Sequence, residues 1–253
     1  MMQVVNRSGA IAASAALVAI VVGAFPVEAA AGTFDGRWVL VQRMTSSVAV
    51  PVVGDVEATT TVVSLHDLVD EDGRLQGEGK ICRFEIDSGS DLVETIVPKA
   101  FRRAMPAPTI DAVLEVEDGV VKLRQPKRTV VVGAKLDDIQ GEALPTKSSD
   151  PRVFDQDSDE KPGVTIRVEG LVSGDMYIVQ RSWTRFDGAF LKDGSFGGRL
   201  SFANEQVVLG STSPFLGDPP KSRPVAAKSW FRIARLSEEA TCKEARSVAD
   251  SYL

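Results

Sequence analysis

Asp155, Asp157 and Asp159 form the sharpest constellation in the chain, in the run Asp155-Gln-Asp157-Ser-Asp159-Glu160-Lys-Pro-Gly163-Val-Thr165. Aspartates at alternate positions of a turn can aim three carboxylates at one centre. Hard oxygens converging in this way suit a hard cation, Ca²⁺ above all. The expected cofactor is therefore a structural Ca²⁺ held by Asp155, Asp157 and Asp159. Asp150 or a strand carbonyl is expected to complete the shell.

Other chemistry is poorly provided for. His66 is the only histidine and reads as a polar surface or strand-end residue rather than a ligand. A zinc site needs more nitrogen or sulfur than one histidine and two paired cysteines supply. No GxSxG elbow is present, and a serine triad would have to use His66 as its base with no partner suggested nearby. Gly194-Ser-Phe-Gly-Gly lies among turns with no helix after it, so it is no phosphate-binding loop. No catalytic residue is assigned. Acids are plentiful enough that a hydrolase working through a carboxylate pair stays as the least favoured alternative.

Where the chain works follows from its first residues. Arg7 supplies a positive start, Ile11 to Phe25 is uncharged and apolar, and Pro26-Val27-Glu28-Ala29-Ala30-Ala31 ends in small residues. This is the grammar of a secretory signal peptide at 1–29, with cleavage after Ala29 or Ala31. Its apolar run of about 15 residues is short of the ~20 that span a bilayer. The mature chain, residues 30–253, is then periplasmic or extracellular, with no transmembrane segment expected. Cys82 and Cys242 are the two cysteines, and an even pair in an exported protein is most simply one disulfide. The net charge of −6, without any cluster of Lys and Arg, argues against nucleic acid or an anionic membrane surface as partner. Aromatics make up only 6%, which argues against the girdles of an outer-membrane barrel.

The elements that must position these residues read as β. Trp38, Leu40, Gln42 and Met44 alternate with Val39, Val41 and Arg43. The β-branched run Val56 to Leu65 turns at Asp72-Gly73 into Arg74 to Asp87, where Cys82, Phe84 and Ile86 are expected to share one face. A two-turn helix is expected over Val97–Met105, and a second hairpin turns at Asp118-Gly119. A long polar loop spans 137–163. Strands resume at Val164, Met176, Arg199 and Trp230, with turns at Asp187-Gly188 and Asp193-Gly194, and Ser237 is expected to cap a terminal helix. The fold class is all-β: a single antiparallel barrel or sandwich of about 9–10 strands in one domain. Gly36 to Arg43 also echoes Gly174 to Arg181, a pattern that two related halves of a barrel could produce.

Two resemblances add to this. Asp155 to Asp159 resembles the first half of the DxDxDG calcium loops of EF-hand, dockerin and thrombospondin-type repeats. It departs from them at Glu160, where the bend glycine stands, and at Ile166, where an EF-hand has its closing acid. Gly36-Arg37-Trp38 resembles the GxW opening of lipocalins, which implies that Trp38 closes the narrow end of a barrel; no second lipocalin motif accompanies it. The functional expectation is an exported β-barrel binding a small apolar or lipid-like ligand, with calcium stabilising it. The alternative is an envelope-associated structural or protein-interaction module with a filled core.

Overall fold

Asp-Gly pairs set the hairpins because both residues of the tight turn must adopt positive φ, which suits the twist of the flanking strands. The computed structural model, which describes residues 33–50, 54–218 and 222–253, has Asp72 at φ 51° with Gly73 at 74°, and Asp118 at 50° with Gly119 at 76°. The expected signal peptide at 1–29 lies outside the described residues. The first pair joins β2 (Gly54–Glu71) to β3 (Arg74–Asp87), and the second joins β5 (Thr109–Glu117) to β6 (Val120–Val132).

Around these hairpins the chain is all-β, as its alternation predicts. The remaining strands are β1 (Gly36–Val50), β4 (Val93–Ile96), β7 (Val164–Gly170), β8 (Gly174–Phe190), β9 (Phe196–Ser211), β10 (Ser222–Pro224) and β11 (Trp230–Arg235). Their antiparallel pairing runs β8-β6-β5-β3-β2-β1-β11-β9, and β9 pairs back onto β8. Eight strands therefore close a ring, although β3 has no strand partner beyond Glu78 on the edge away from β2. β7 follows β6 along the same edge of β8 and carries β4 on its own far edge, and β10 flanks β1.

One end of the ring is filled by side chains from every wall. Trp38, Leu40, Leu68, Leu75, Ile110, Leu123, Phe186, Phe196, Phe231 and Ile233 are buried there. Phe34, Phe190 and Phe196 meet edge to face with centroids 4.9–5.2 Å apart, a geometry that aromatic quadrupoles favour. We call this end the floor.

Two covers lie outside the ring. Helix α2 (Cys242–Asp250) lays Ala245 and Ala249 on Val39, Val41 and Val63. The Cys82–Cys242 disulfide fastens it across 160 residues of sequence. The 133–163 segment carries no strand or helix, as expected for most of it, yet it is ordered by its own contacts. Leu144 packs on Val179, Arg181 donates to the Glu142 carbonyl at 2.7 Å, and Arg152 grips Glu142 and Asp150.

Four expectations are corrected. Cys82 does not share a face with Phe84 and Ile86: a bulge between Val63 and Ser64 pairs Ser64 with Ile81 and Val63 with Arg83. The extra residue turns Cys82 outward to α2. Asp187-Gly188 is not a turn but the interior of β8, where Gly188 faces Gly198. A Cβ there would stand 2.5 Å from the Gly197 carbonyl, so the glycine permits close strand approach. Thr241, not Ser237, caps the terminal helix, in a capping box with Glu244. The echoing segments begin at opposite ends of the barrel, since Trp38 is in the floor while Met176 packs with Phe84 and Val97 at the other end.

Candidate functional site

The acidic loop is built by local hydrogen bonds. Asp155 accepts from the backbone N–H of Asp159 at 3.1 Å and of Glu160 at 2.8 Å. Asp157 accepts from Thr165 N–H at 3.0 Å, and Asp159 accepts from the Thr165 hydroxyl at 2.5 Å. Glu160 itself takes φ 66°, so the bend that a glycine makes in DxDxDG loops is made here without one. Gln156, between two of the aspartates, fixes the loop to its surroundings. Its Oε1 accepts from Gly133 N–H at 2.7 Å and its Nε2 donates to the Ala104 carbonyl at 2.8 Å.

The result brings one carboxylate oxygen from each of Asp155, Asp157 and Asp159 within 4.8 Å of the others. Ligand oxygens 2.3–2.6 Å from a Ca²⁺ lie at most about 5 Å apart, so this span fits that ion. Asp157 is the telling member. Its side chain is 7% exposed, and its Oδ1 has no hydrogen-bond partner. An ionised oxygen in that position lacks both water and a donor, which is costly unless a cation supplies the contact. Burial pushes the Asp157 carboxyl above its ordinary pKa, and the neighbouring Asp159 and Asp155 push the same way against the Thr165 amide. No Lys or Arg forms an ion pair with the three acids among the described residues. The group could hold a metal ion, with solvent reaching it through the exposed Asp155 and Asp159. Asp150, expected as a further ligand, is instead spent on Arg152, whose Nε and Nη2 approach it at 3.0 and 2.7 Å.

At the floor, Trp38 donates from Nε1 to the Phe34 carbonyl at 2.9 Å. The Arg235 guanidinium lies 4.6 Å from its ring centroid, and Arg235 donates to the carbonyls of Asp35 and Thr33. A Cβ on Gly36 would sit 3.1 Å from Arg235 Nη1, so the glycine and the tryptophan of that tripeptide both serve one contact. Sequence reading missed Arg235 because it lies 197 positions beyond Trp38 and only the register Trp38↔Arg235 unites them.

His66 is neither on the surface nor at a strand end. It lies inside β2, paired with Trp38 and Gly79, and is 1% exposed. A Cβ on Gly79 would fall 2.6 Å from the imidazole, so that glycine makes the room. Ser64 Oγ and His66 Nε2 share a hydrogen bond at 2.8 Å, whereas Nδ1 completes none. The pair therefore lacks the acid that orients a catalytic base. Burial lowers the His66 pKa to about 4, outweighing the Gly77 carbonyl and the Asp67 carboxylate, which favour the proton.

Comparison with family models, with curated proteins and with solved structures finds no match. No helix among the described residues is long and apolar enough to cross a membrane.

Proposed function

We propose that the protein is an exported β-barrel that binds a small apolar or lipid-like molecule and is stabilised by calcium. The observation that carries the reading is the uneven filling of the ring. The floor is packed tight, while Met44 and Phe202 against it, and Phe84 and Ile86 against the cluster around Met176 and Ile178, are only partly buried. Apolar walls with a closed end and a less covered end are what a small-molecule site requires. The disulfide supports export, because such bonds persist in oxidising compartments. The buried, partnerless Asp157 Oδ1 supports a cation at the acidic loop, and calcium is abundant outside the cytoplasm.

The tightly packed floor favours a second reading, a structural or interaction module with a filled core. An uncharged fluorescent probe such as N-phenyl-1-naphthylamine separates the two. The ligand-binding reading expects saturable enhancement with one site per chain; no enhancement leaves the filled-core module. Melting in calcium and in EGTA tests the cation, with a higher midpoint expected in calcium. Equal midpoints rule the calcium out.

A further inference from the structure

Strand β3 keeps β5 as a neighbour only through Glu78, whose partner is Thr109. Beyond the bulge, the edge of β3 that faces away from β2 meets helix α1 (Lys99–Ala104) instead of a strand. A cavity of about 280 Å³ lies between them. Its strand side is Ile81, Cys82 and Phe84 with Arg83, and its helix side is Lys99, Arg102 and Arg103.

The charges on the two sides are not equivalent. Arg83 is spent on Asp250 at 2.6 Å and on Glu85 at 3.6 Å. Lys99, Arg102 and Arg103 have no acidic partner among the described residues, in a chain whose net charge is −6. Their spacing of i, i+3 and i+4 stacks them on one helix face, where like charges repel. Lys99 also stands in the first turn, the end at which the helix dipole disfavours a cation. α1 turns Phe101 into the core and keeps these cations on the cavity. Three unpaired cations facing an apolar wall define a ligand with an anionic head and a hydrocarbon body.

We infer that the cleft between β3 and α1 binds a small amphipathic organic anion, its carboxylate on Lys99, Arg102 and Arg103 and its chain against Ile81 and Phe84. This rests on the reading of the chain as a small-molecule binder and adds, beside the ring interior, a cleft with its own class of ligand. The test titrates decanoate, 1-decanol and inorganic phosphate into the wild-type chain and into the triple variant Lys99→Gln, Arg102→Gln, Arg103→Gln, by calorimetry. Decanoate should bind the wild type at least tenfold more tightly than decanol and lose at least tenfold in the variant, with added salt weakening it. The variant's melting midpoint and far-ultraviolet spectrum should stay at wild-type values, since the three side chains are exposed. Equal affinities for decanoate and decanol, unchanged in the variant, overturn the inference while leaving a neutral-ligand barrel standing. Phosphate displacing decanoate at equal concentration reduces the cleft to a simple anion site and also overturns it. If decanoate does not bind at all, the inference fails by itself, because the naphthylamine probe reports separately on the interior.

Discussion

Protonating His66 should loosen the barrel in a pH window set by its burial. Its pKa falls from an ordinary 6.5 to about 4 because the ring is sealed between Trp38 and Gly79. A base with a depressed folded-state pKa favours the folded state while neutral. Its contribution is therefore complete above pH 6.5 and is lost as pH falls from 6.5 toward 4. A difference of about 2.5 units at 1.36 kcal/mol each comes to roughly 3 kcal/mol, of which about 2 is gone by pH 5. Carboxylates act lower. Asp111, held at about 2 by Arg74 and Gln76, and Asp150, held at about 2 by Arg152, give up stability only as pH falls below the ordinary 3.8. Urea unfolding of the wild type and of His66→Gln between pH 7.5 and 4 isolates the histidine, because all other groups are common to both. The variant should lose roughly 3 kcal/mol less across the window. His66 is the sole histidine, so its imidazole proton resonances need no assignment, and an NMR titration should give a midpoint near 4. A midpoint of 6–7, or parallel pH profiles for the two proteins, would refute the reasoning.

Three other outcomes are expected. Asp157→Asn should abolish calcium-dependent melting while leaving the chain folded in EGTA. For the wild type, calcium at a hundredfold its Kd adds about 2.7 kcal/mol, or roughly 5–10 °C for a domain of this size, read by scanning calorimetry. Replacing Cys82 and Cys242 by serine should cost about 2–5 kcal/mol and speed limited proteolysis at α2, although the Arg83–Asp250 pair still holds that helix. Trp38→Ala should cost about 3–5 kcal/mol by emptying the floor, whereas Arg235→Met, which keeps an apolar stem on the ring, should cost about 1 kcal/mol; chemical unfolding measures both.

What could be read from the sequence was local. Alternation marked β1, and Asp72-Gly73 and Asp118-Gly119 fixed two hairpins because positive φ leaves few residues to choose from. The same dipeptide misled at Asp187-Gly188, where glycine answers to a neighbouring strand and not to a turn. Period-2 counting failed at Cys82, since the bulge inserts that residue into β3 and only the pairing with β2 shows it. Ring closure through β8 and β9 joins residues whose pairing only the tertiary fold decides. At the candidate centre the three aspartates were legible as a run. Thr165 and the Gln156 link to Ala104 were not, because they depend on where β7 and α1 lie. The expectation of no Lys and Arg cluster passed over Lys99, Arg102 and Arg103, which gain their meaning only from β3 lying opposite α1.

The most direct test of the account is native mass spectrometry of the chain purified from its own host, recorded with and without EGTA. One calcium lost on EGTA treatment and one small organic adduct released on collisional activation are the expected result. A bare polypeptide mass in both spectra, from protein that also fails to take up calcium or decanoate, would contradict it.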